Sequence, residues 1–222
     1  MNLTLFDLDG TLLPFDSDHA FGQYLIDQGW ADGDDWAARN DRFYADYCEG
    51  RLDLNAYIDF TTSAWRHRPL PEALALRERF VAEVILPGVH DNARDLVRRH
   101  QDAGDLVALV TATNEFVTAP IAEAFGIPHL IAVELAREPD GRFGGRIEGV
   151  PSFQAGKITR VQDWLARLGR RWNDFAETRC YSDSPNDLPL LEAVSHPVAT
   201  NPNAALEATA LERGWPVLRL FA

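Results

Sequence analysis

The chain has 222 residues, 46% of them hydrophobic and 25% charged, with 34 acidic against 21 basic side chains and a net charge of −13. That length suits one globular domain, or one with a modest insertion, and the apolar share is too high for intrinsic disorder. The acidic balance repels nucleic-acid backbones and anionic lipid surfaces, no apolar run approaches the ~18 residues of a membrane span, and the opening MNLTLFDLDG has no basic leader, so a cytoplasmic protein without nucleic-acid or membrane partners is expected.

The first apolar run, residues 3–6, reads as a buried strand that breaks at Asp7-Leu8-Asp9-Gly10-Thr11. Helical spacing then takes over. Phe21, Tyr24 and Leu25 form one stripe before Gly29, and Trp36, Asn40, Phe43 and Tyr47 a second before Gly50. Leu54, Tyr57, Ile58, Thr61 and Trp65 form a third, with Asp53 as N-cap and Pro69 as stop; the fourth carries Leu74, Phe80, Val81 and Val84 from Pro71 to Pro87-Gly88. Beyond that point helices and strands alternate. A helix over 92–103 leads to a strand at 106–110, a helix ending near Gly126, an apolar run at 129–133 and a hairpin turning at Asp140-Gly141. A helix over 156–168, a strand at 178–181, a helix from Asn186 and strands at 197–200 and 216–221 complete the chain. The pattern predicts an α/β fold, a doubly wound, mostly parallel, Rossmann-like sheet formed by residues 1–15 and 87–222, with a small helical cap, residues 16–86, inserted after the first strand. That first strand must join the later sheet, because alone beside helices its backbone groups would go unpaired.

Ligands of an open parallel sheet bind beyond the carboxyl ends of its strands. There this chain delivers Asp7 and Asp9, then Thr111-Ala112-Thr113-Asn114, then Ser182-Asp183 followed by Asn186-Asp187. Asp7 and Asp9 point the same way with Leu8 opposed, and carboxylates so crowded call for a cation. An all-oxygen donor set suits Mg²⁺, held by one or two carboxylates while phosphate and water complete its shell. Other phosphate and metal signatures fail. An EF-hand counted from Asp7 would put Thr11, Leu12 and Asp18 where Asp or Asn, Gly and Glu belong, and a P-loop ending at Lys157 has the wrong glycine spacing and Ile158 after the lysine. The six His form no close pair and Cys48 and Cys180 lie far apart, which argues against zinc and against a disulfide framework. His67, His90 and His100 read as solvated surface residues, and the aromatic stripes of the cap as core. Of the 21 basic residues all but Lys157 are Arg, so that position is singled out as one that needs a compact ammonium.

FDLDGTLL at residues 6–13 resembles the first motif of the haloacid dehalogenase-like hydrolase superfamily, Asp-x-Asp-Gly-Thr after a strand. Thr111 matches its second motif, Lys157 its third, and YSDSPNDLPLL at 181–191 its fourth, in order over the whole chain. The helical insert resembles the type 1 cap of the phosphoserine-phosphatase-like branch, and Thr-Ala-Thr-Asn at 111–114 resembles bacterial members of that branch labelled histidinol-phosphatases. The resemblance implies an Mg²⁺-dependent phosphomonoesterase acting on a small phosphorylated metabolite. Asp7 would be the nucleophile and Asp9 the acid and base, its pKa raised by crowding from Asp7 and Asp183. Asp7, the Asp9 carbonyl and Asp183 would hold the metal, and Thr111, the Ala112 N–H, Lys157 and Asn186 the phosphate. Asp187 would orient metal-bound water. Dehalogenase members lack the second Asp, so Asp9 favours phosphoryl transfer. The cap segment has twice as many acidic as basic residues, which suits an amine-bearing substrate. Asp16, Asp18, Phe21 and Tyr24 could form a pocket for histidinol phosphate. Phosphoserine is the alternative, with Arg51 as partner for its carboxylate, although phosphoserine phosphatases carry Glu where this chain has the shorter Asp16. A phosphotransferase using the same intermediate, and a metal-stabilised binding protein without catalysis, are the other readings; Asp9 speaks against the last. Oligomeric state has no signature.

Overall fold

The computed structural model describes residues 1–221. The strands are β1 (Leu3–Phe6), β2 (Leu106–Asn114), β3 (Leu130–Val133), the short β4 (Leu135–Arg137) and β5 (Phe143–Ile147), then β6 (Thr178–Ser182), β7 (His196–Thr200) and β8 (Val217–Leu218), and helices separate them except between β3, β4 and β5. Six of them make one sheet in the order β3-β2-β1-β6-β7-β8, and its pairings are parallel. β1 is paired on both sides, Leu3 with Leu106 and Thr178 and Phe6 with Leu109 and Tyr181. A strand that is central must be apolar on both faces, which is why LTLF is wholly buried. Leu3 and Leu5 face a core with Ala108, Val110, Val161 and Leu206, while Phe6 faces the opposite one.

That opposite core continues without a break into the inserted helices. These are α1 (Ser17–Asp27), α2 (Gly33–Cys48), α3 (Leu54–Ser63) and α4 (Leu70–Phe80), the last running on through a π-helical turn at Val81–Ile85 into α5 (Leu86–Gly88). Phe21, Ile58 and Phe80 join Phe6 and Leu109 in one cluster. Asp16 and Asp53 cap α1 and α3, accepting the amides of His19 at 2.7 Å and Ala56 at 3.1 Å. The remaining helices, α6 (Asp91–Asp102), α7 (Glu115–Ala124), α8 (Gly156–Arg167), α9 (Leu188–Ala193) and α10 (Ala204–Arg213), flank the sheet. No helix among the described residues is long and apolar enough to cross a membrane.

Tertiary contacts account for the differences from the sequence reading. Trp65, expected on the third helical stripe, lies beyond the end of α3 because its ring stacks on Phe116 of α7 at 3.9 Å and meets Phe143 of β5 edge-on at 5.8 Å. The antiparallel β4–β5 hairpin thus braces the inserted helices against the sheet domain. β2 runs on to Asn114, past the expected end, and β8 is confined to two residues. His100 is no surface residue: its Nδ1 lies 2.7 Å from Asp105 Oδ2 and its Nε2 2.8 Å from the Tyr181 hydroxyl, closing the polar groups beneath the sheet.

Candidate active site

The chain leaves β1 with the Asp7 amide still donating to Tyr181 O at 2.9 Å, so Asp7 is held at the strand level and the turn begins only at Leu8. Leu8 O then accepts the amides of Thr11, Leu12 and Leu13, which folds the first motif into a tight loop. Gly10 sits at φ +72°, and a Cβ there would come within 2.3 Å of Asp183 Oδ2. Only glycine permits both the left-handed turn and the approach of the β6 loop. The Thr11 hydroxyl lies 3.3 Å from Asp7 Oδ2 and 3.4 Å from Asp183 Oδ1, so one side chain touches both carboxylates.

Lys157, in the first turn of α8 and 1% exposed, reaches in from the other side. Its Nζ donates to Asp7 Oδ1 at 2.9 Å and to Asp187 Oδ2 at 2.8 Å. Asp187 also accepts from Ser182 Oγ at 2.8 Å. The sequence reading gave Asp187 to metal-bound water; here its Oδ2 also holds Lys157, the only opposite charge within this buried group. Burial pushes the Asp7 carboxyl up to about 7, with Lys157 opposing and Asp187 and Asp9 reinforcing. Burial works against the Lys157 charge, yet Asp187 and Asp7 outweigh it and raise the ammonium above its usual range.

Asp9 is anchored at both oxygens: the Ser17 amide donates to Oδ1 at 2.7 Å and the Thr113 hydroxyl to Oδ2 at 2.9 Å. Burial, then the Asp16 charge, pushes its carboxyl up to about 7 against those hydrogen bonds. The neighbouring charge with the largest effect is Asp16, brought round by the loop into α1, and it adds to the expected crowding with Asp7 and Asp183. Asp183 is pushed well above the carboxylate range by burial, then by Asp7 and Asp187. Thr111 lies two residues past Leu109, the register partner of Phe6, and its hydroxyl oxygen accepts the Thr113 amide at 3.1 Å. Asn186 commits one amide proton to the Tyr47 carbonyl at 3.0 Å, tying the fourth motif to the end of α2.

Above Asp9 and Ala112 lies a chamber of about 30 Å³, walled by Asp16, Asp18, His19, Asn40 and the tyrosines 44, 47 and 57. No Lys or Arg is among the described residues that line it. Burial raises Asp16 to about 6 and, with Asp16 and Asp9 beside it, Asp18 well above the carboxylate range. Of the five cap residues expected to meet a substrate, only these two line the chamber. Phe21 packs against Phe80 at 5.0 Å, and Tyr24 donates to Glu83 at 2.8 Å. Asp18 and Phe21, three residues apart, share a face of α1 but sit one turn apart along its axis, so the first turn lines the chamber and the next is packed in the core. Arg51, in the loop after α2, pairs with Glu49 and with Asp46 at 3.2 Å, its side chain 61% exposed. Thr11, Thr113, Ser182, Asn40 and the three tyrosines were not identified from sequence as site residues. Thr11 belongs to the quoted first motif, Thr113 to the second and Ser182 to the fourth, so only those three had a signal.

Asp7 and Asp183 meet at Thr11 beside the loop carrying Asp9, a hard-oxygen donor set with mutually raised carboxyls. Among the described residues no three His, Cys, Asp or Glu side chains form a metal cage. Two carboxylates, a backbone carbonyl and open positions are what Mg²⁺ accepts, so the residues fit it.

Residues 4–192 match the haloacid dehalogenase-like hydrolase family. The chain is 45% identical over 217 residues to a histidinol-phosphatase of Neisseria meningitidis, covering 98% of each. It is 35% identical over 172 residues to a phosphoserine phosphatase of Mycobacterium tuberculosis, covering 78% of this chain and 52% of that one. Among solved structures it resembles a protein of unknown function from Bordetella pertussis, with a TM-score of 0.93 and 49% identity over 99% of each chain. A substrate-bound phosphoserine phosphatase shares the fold, with a TM-score of 0.69 at 17% identity over 98% of this chain and 92% of that one. Sequence match and spatial cluster agree: the chain belongs to the haloacid dehalogenase-like hydrolase family and is one of its phosphatases.

Proposed function

We propose that the protein is an Mg²⁺-dependent phosphomonoesterase that hydrolyses histidinol phosphate through a phosphoryl group carried on Asp7, with residues 16–86 as the substrate-selecting cap. The observation that carries the substrate reading is the chamber above Asp9, acidic and aromatic with no Lys or Arg in its described lining. An amine or imidazolium gains there, whereas the carboxylate of phosphoserine would face Asp16 and Asp18 without a cation. The likeness to the Neisseria histidinol-phosphatase supports the same reading.

In the first step the Asp7 carboxylate attacks phosphorus, the bond from phosphorus to the alcohol oxygen breaks, and Asp9 gives its proton to that oxygen. Water then attacks phosphorus, Asp9 takes its proton, and the bond to Asp7 breaks, restoring both carboxyls. A group with its pKa near 7 serves both directions at neutral pH. The Thr111 hydroxyl, the Ala112 N–H and Lys157 bind the phosphoryl oxygens, with Asp187 positioning Lys157. Mg²⁺ held by Asp7, Asp183 and the Asp9 carbonyl would supply the positive charge that lets a carboxylate approach a phosphate dianion. The Asn186–Tyr47 hydrogen bond ties the cap to the fourth motif, and lifting of the cap to admit an ester would release it.

The test is turnover of histidinol phosphate, phosphoserine and p-nitrophenyl phosphate, with Mg²⁺ and after chelation. Histidinol phosphate should give the highest kcat/KM, with phosphoserine on the order of a hundredfold lower or worse. Equal or better turnover of phosphoserine sinks the substrate reading, and transfer to added alcohols outpacing phosphate release would mark a phosphotransferase.

The raised carboxyls predict how stability responds to pH and metal. Asp7 and Asp9, at about 7 in the fold against 3.8 otherwise, keep protons that the unfolded chain has released. The metal-free protein therefore loses stability as pH climbs through that window. At pH 8, Mg²⁺ at about a hundred times its Kd should raise Tm on the order of 5–10 °C. Thermal unfolding with EDTA and with Mg²⁺ measures it; identical curves would remove the cation from this site.

A further inference from the structure

β7 ends where the backbone turns at Asn201, two residues past Ala199, the register partner of Ser182. Asn201 has φ +46°, in the left-handed region that costs any residue with a side chain. Glycine would sit there free of strain, whereas the asparagine offsets it with three hydrogen bonds. Its Nδ2 donates to Gly10 O at 3.0 Å and to Thr11 O at 3.1 Å, and its Oδ1 accepts the Leu220 amide at 2.7 Å. Carbonyls only accept and backbone amides only donate, so the side chain has one orientation and all of its polar atoms are engaged. β6 lies between β7 and β1 in the sheet. Asn201 therefore reaches across the carboxyl end of β6 to the loop of the first motif. Two residues further on, the Asn203 amide donates to Asp183 O at 3.0 Å. One short segment, 201–203, thus ties the loop of Asp7 to the loop of Asp183.

We infer that Asn201 is a positioning residue for the cation: it holds the Gly10–Thr11 backbone so that Asp7, the Asp9 carbonyl and Asp183 keep their spacing before Mg²⁺ binds. The inference rests on the proposed phosphatase reading, in which those three groups bind Mg²⁺. It adds a residue that acts through the loop, since Asn201 makes no hydrogen bond to Asp7, Asp9 or Asp183. Two carboxylates that share the Thr11 hydroxyl, at 3.3 and 3.4 Å, repel each other when ionised and tend to spread the loops that carry them. Holding the loops beforehand moves that cost from binding to folding, which tightens the metal. The rival role is to dock the segment 218–220, which Asn201 also meets and which Asn92 Nδ2 holds from the other side, at Leu220 O and 3.0 Å.

The experiment compares wild type with Asn201→Gly, which keeps the left-handed turn and loses the amide, and with Asn92→Ala, which loosens Leu220 and leaves the loop clamp intact. Two quantities are read. One is the Mg²⁺ Kd, from the rise in Tm across a Mg²⁺ titration at pH 8. The other is hydrogen exchange of residues 8–13 in EDTA, where the amides of Thr11, Leu12 and Leu13 donate to Leu8 O. Asn201→Gly should weaken Mg²⁺ binding about tenfold and speed exchange of that segment by a similar factor, the scale set by the hydrogen bonds lost. Asn92→Ala should lower Tm and change both quantities less than about threefold. Turnover of p-nitrophenyl phosphate by Asn201→Gly should fall at limiting Mg²⁺ and return towards wild type at saturation. Asn201→Gly that folds but leaves either quantity unchanged overturns the assignment, as do equal changes in the two variants. So does loss of cooperative melting in Asn201→Gly, which would make the side chain a requirement of the fold rather than of the metal site. Wild type whose Tm ignores Mg²⁺ would sink the cation reading instead, and exchange of residues 8–13 would then decide by itself whether Asn201 clamps the loop.

Discussion

Asp7→Asn is expected to lower kcat for phosphate release on the order of 10⁵-fold or more, the scale on which enzymes lose turnover when a covalent nucleophile is removed. The amide keeps the shape and a hydrogen-bond acceptor for Lys157, but it cannot take up a phosphoryl group. Stability should move the other way. Asp7 carries a carboxyl pushed up to about 7 by burial, with Asp187 and Asp9 reinforcing, so a neutral side chain relieves repulsion in the metal-free protein. Circular-dichroism melting at pH 8 in EDTA should therefore give a Tm no lower than wild type, while the Mg²⁺-induced rise shrinks. Normal turnover of any phosphate ester by a verified Asp7→Asn preparation would falsify the nucleophile assignment, and with it the two-step chemistry.

Lys157→Met should damage both fold and reaction. The ammonium is the shared partner of Asp7 and Asp187, at 2.9 and 2.8 Å, with all three side chains buried. Removing one member of a buried ion cluster leaves charge unpaired, which costs about 3–5 kcal/mol and lowers Tm on the order of 10 °C in a chain of this size. Activity should fall about a thousandfold, since a donor to the phosphoryl oxygens is lost as well. Lys157→Arg should not rescue it, because a planar guanidinium cannot place one charge between two carboxylates in the space of an ammonium. The double variant Lys157→Met with Asp187→Asn separates the two roles: Tm should recover by several degrees while turnover stays low. Recovery of turnover together with Tm would mean that the lysine does not act on phosphate, and a Tm that fails to recover would mean that unpaired buried charge is not what destabilises Lys157→Met.

The chemistry at the strand ends was legible because topology concentrates it. A lone opening strand needs partners on both sides, parallel strands discharge their loops on one edge, and the acidic and hydroxyl residues of this chain stand where those strands stop. Asp7, Asp9, Asp183 and Lys157 could therefore be brought together from sequence, helped by a lysine that stands alone among arginines. The cap was legible as helices and illegible as a surface. Asp16 and Asp18 differ from Phe21 and Tyr24 only in which turn of α1 carries them, and the face that turns toward the sheet depends on how α1 crosses α2 and α7.

What the amino-acid order determined by itself was local and periodic: the alternation of strands and helices, the capping of α3 by Asp53, the glycine at the first turn, and the reaction class carried by Asp-x-Asp. Tertiary packing alone decided that Asp187 pairs with Lys157, that Asp16 comes to stand beside Asp9 and that Asn186 holds the Tyr47 carbonyl. The physical reason is one of range. Helical and strand periods act over neighbouring residues, whereas the partner of a buried polar group is chosen by the distance and orientation of elements far apart in the chain, and that choice is settled only when the two cores close.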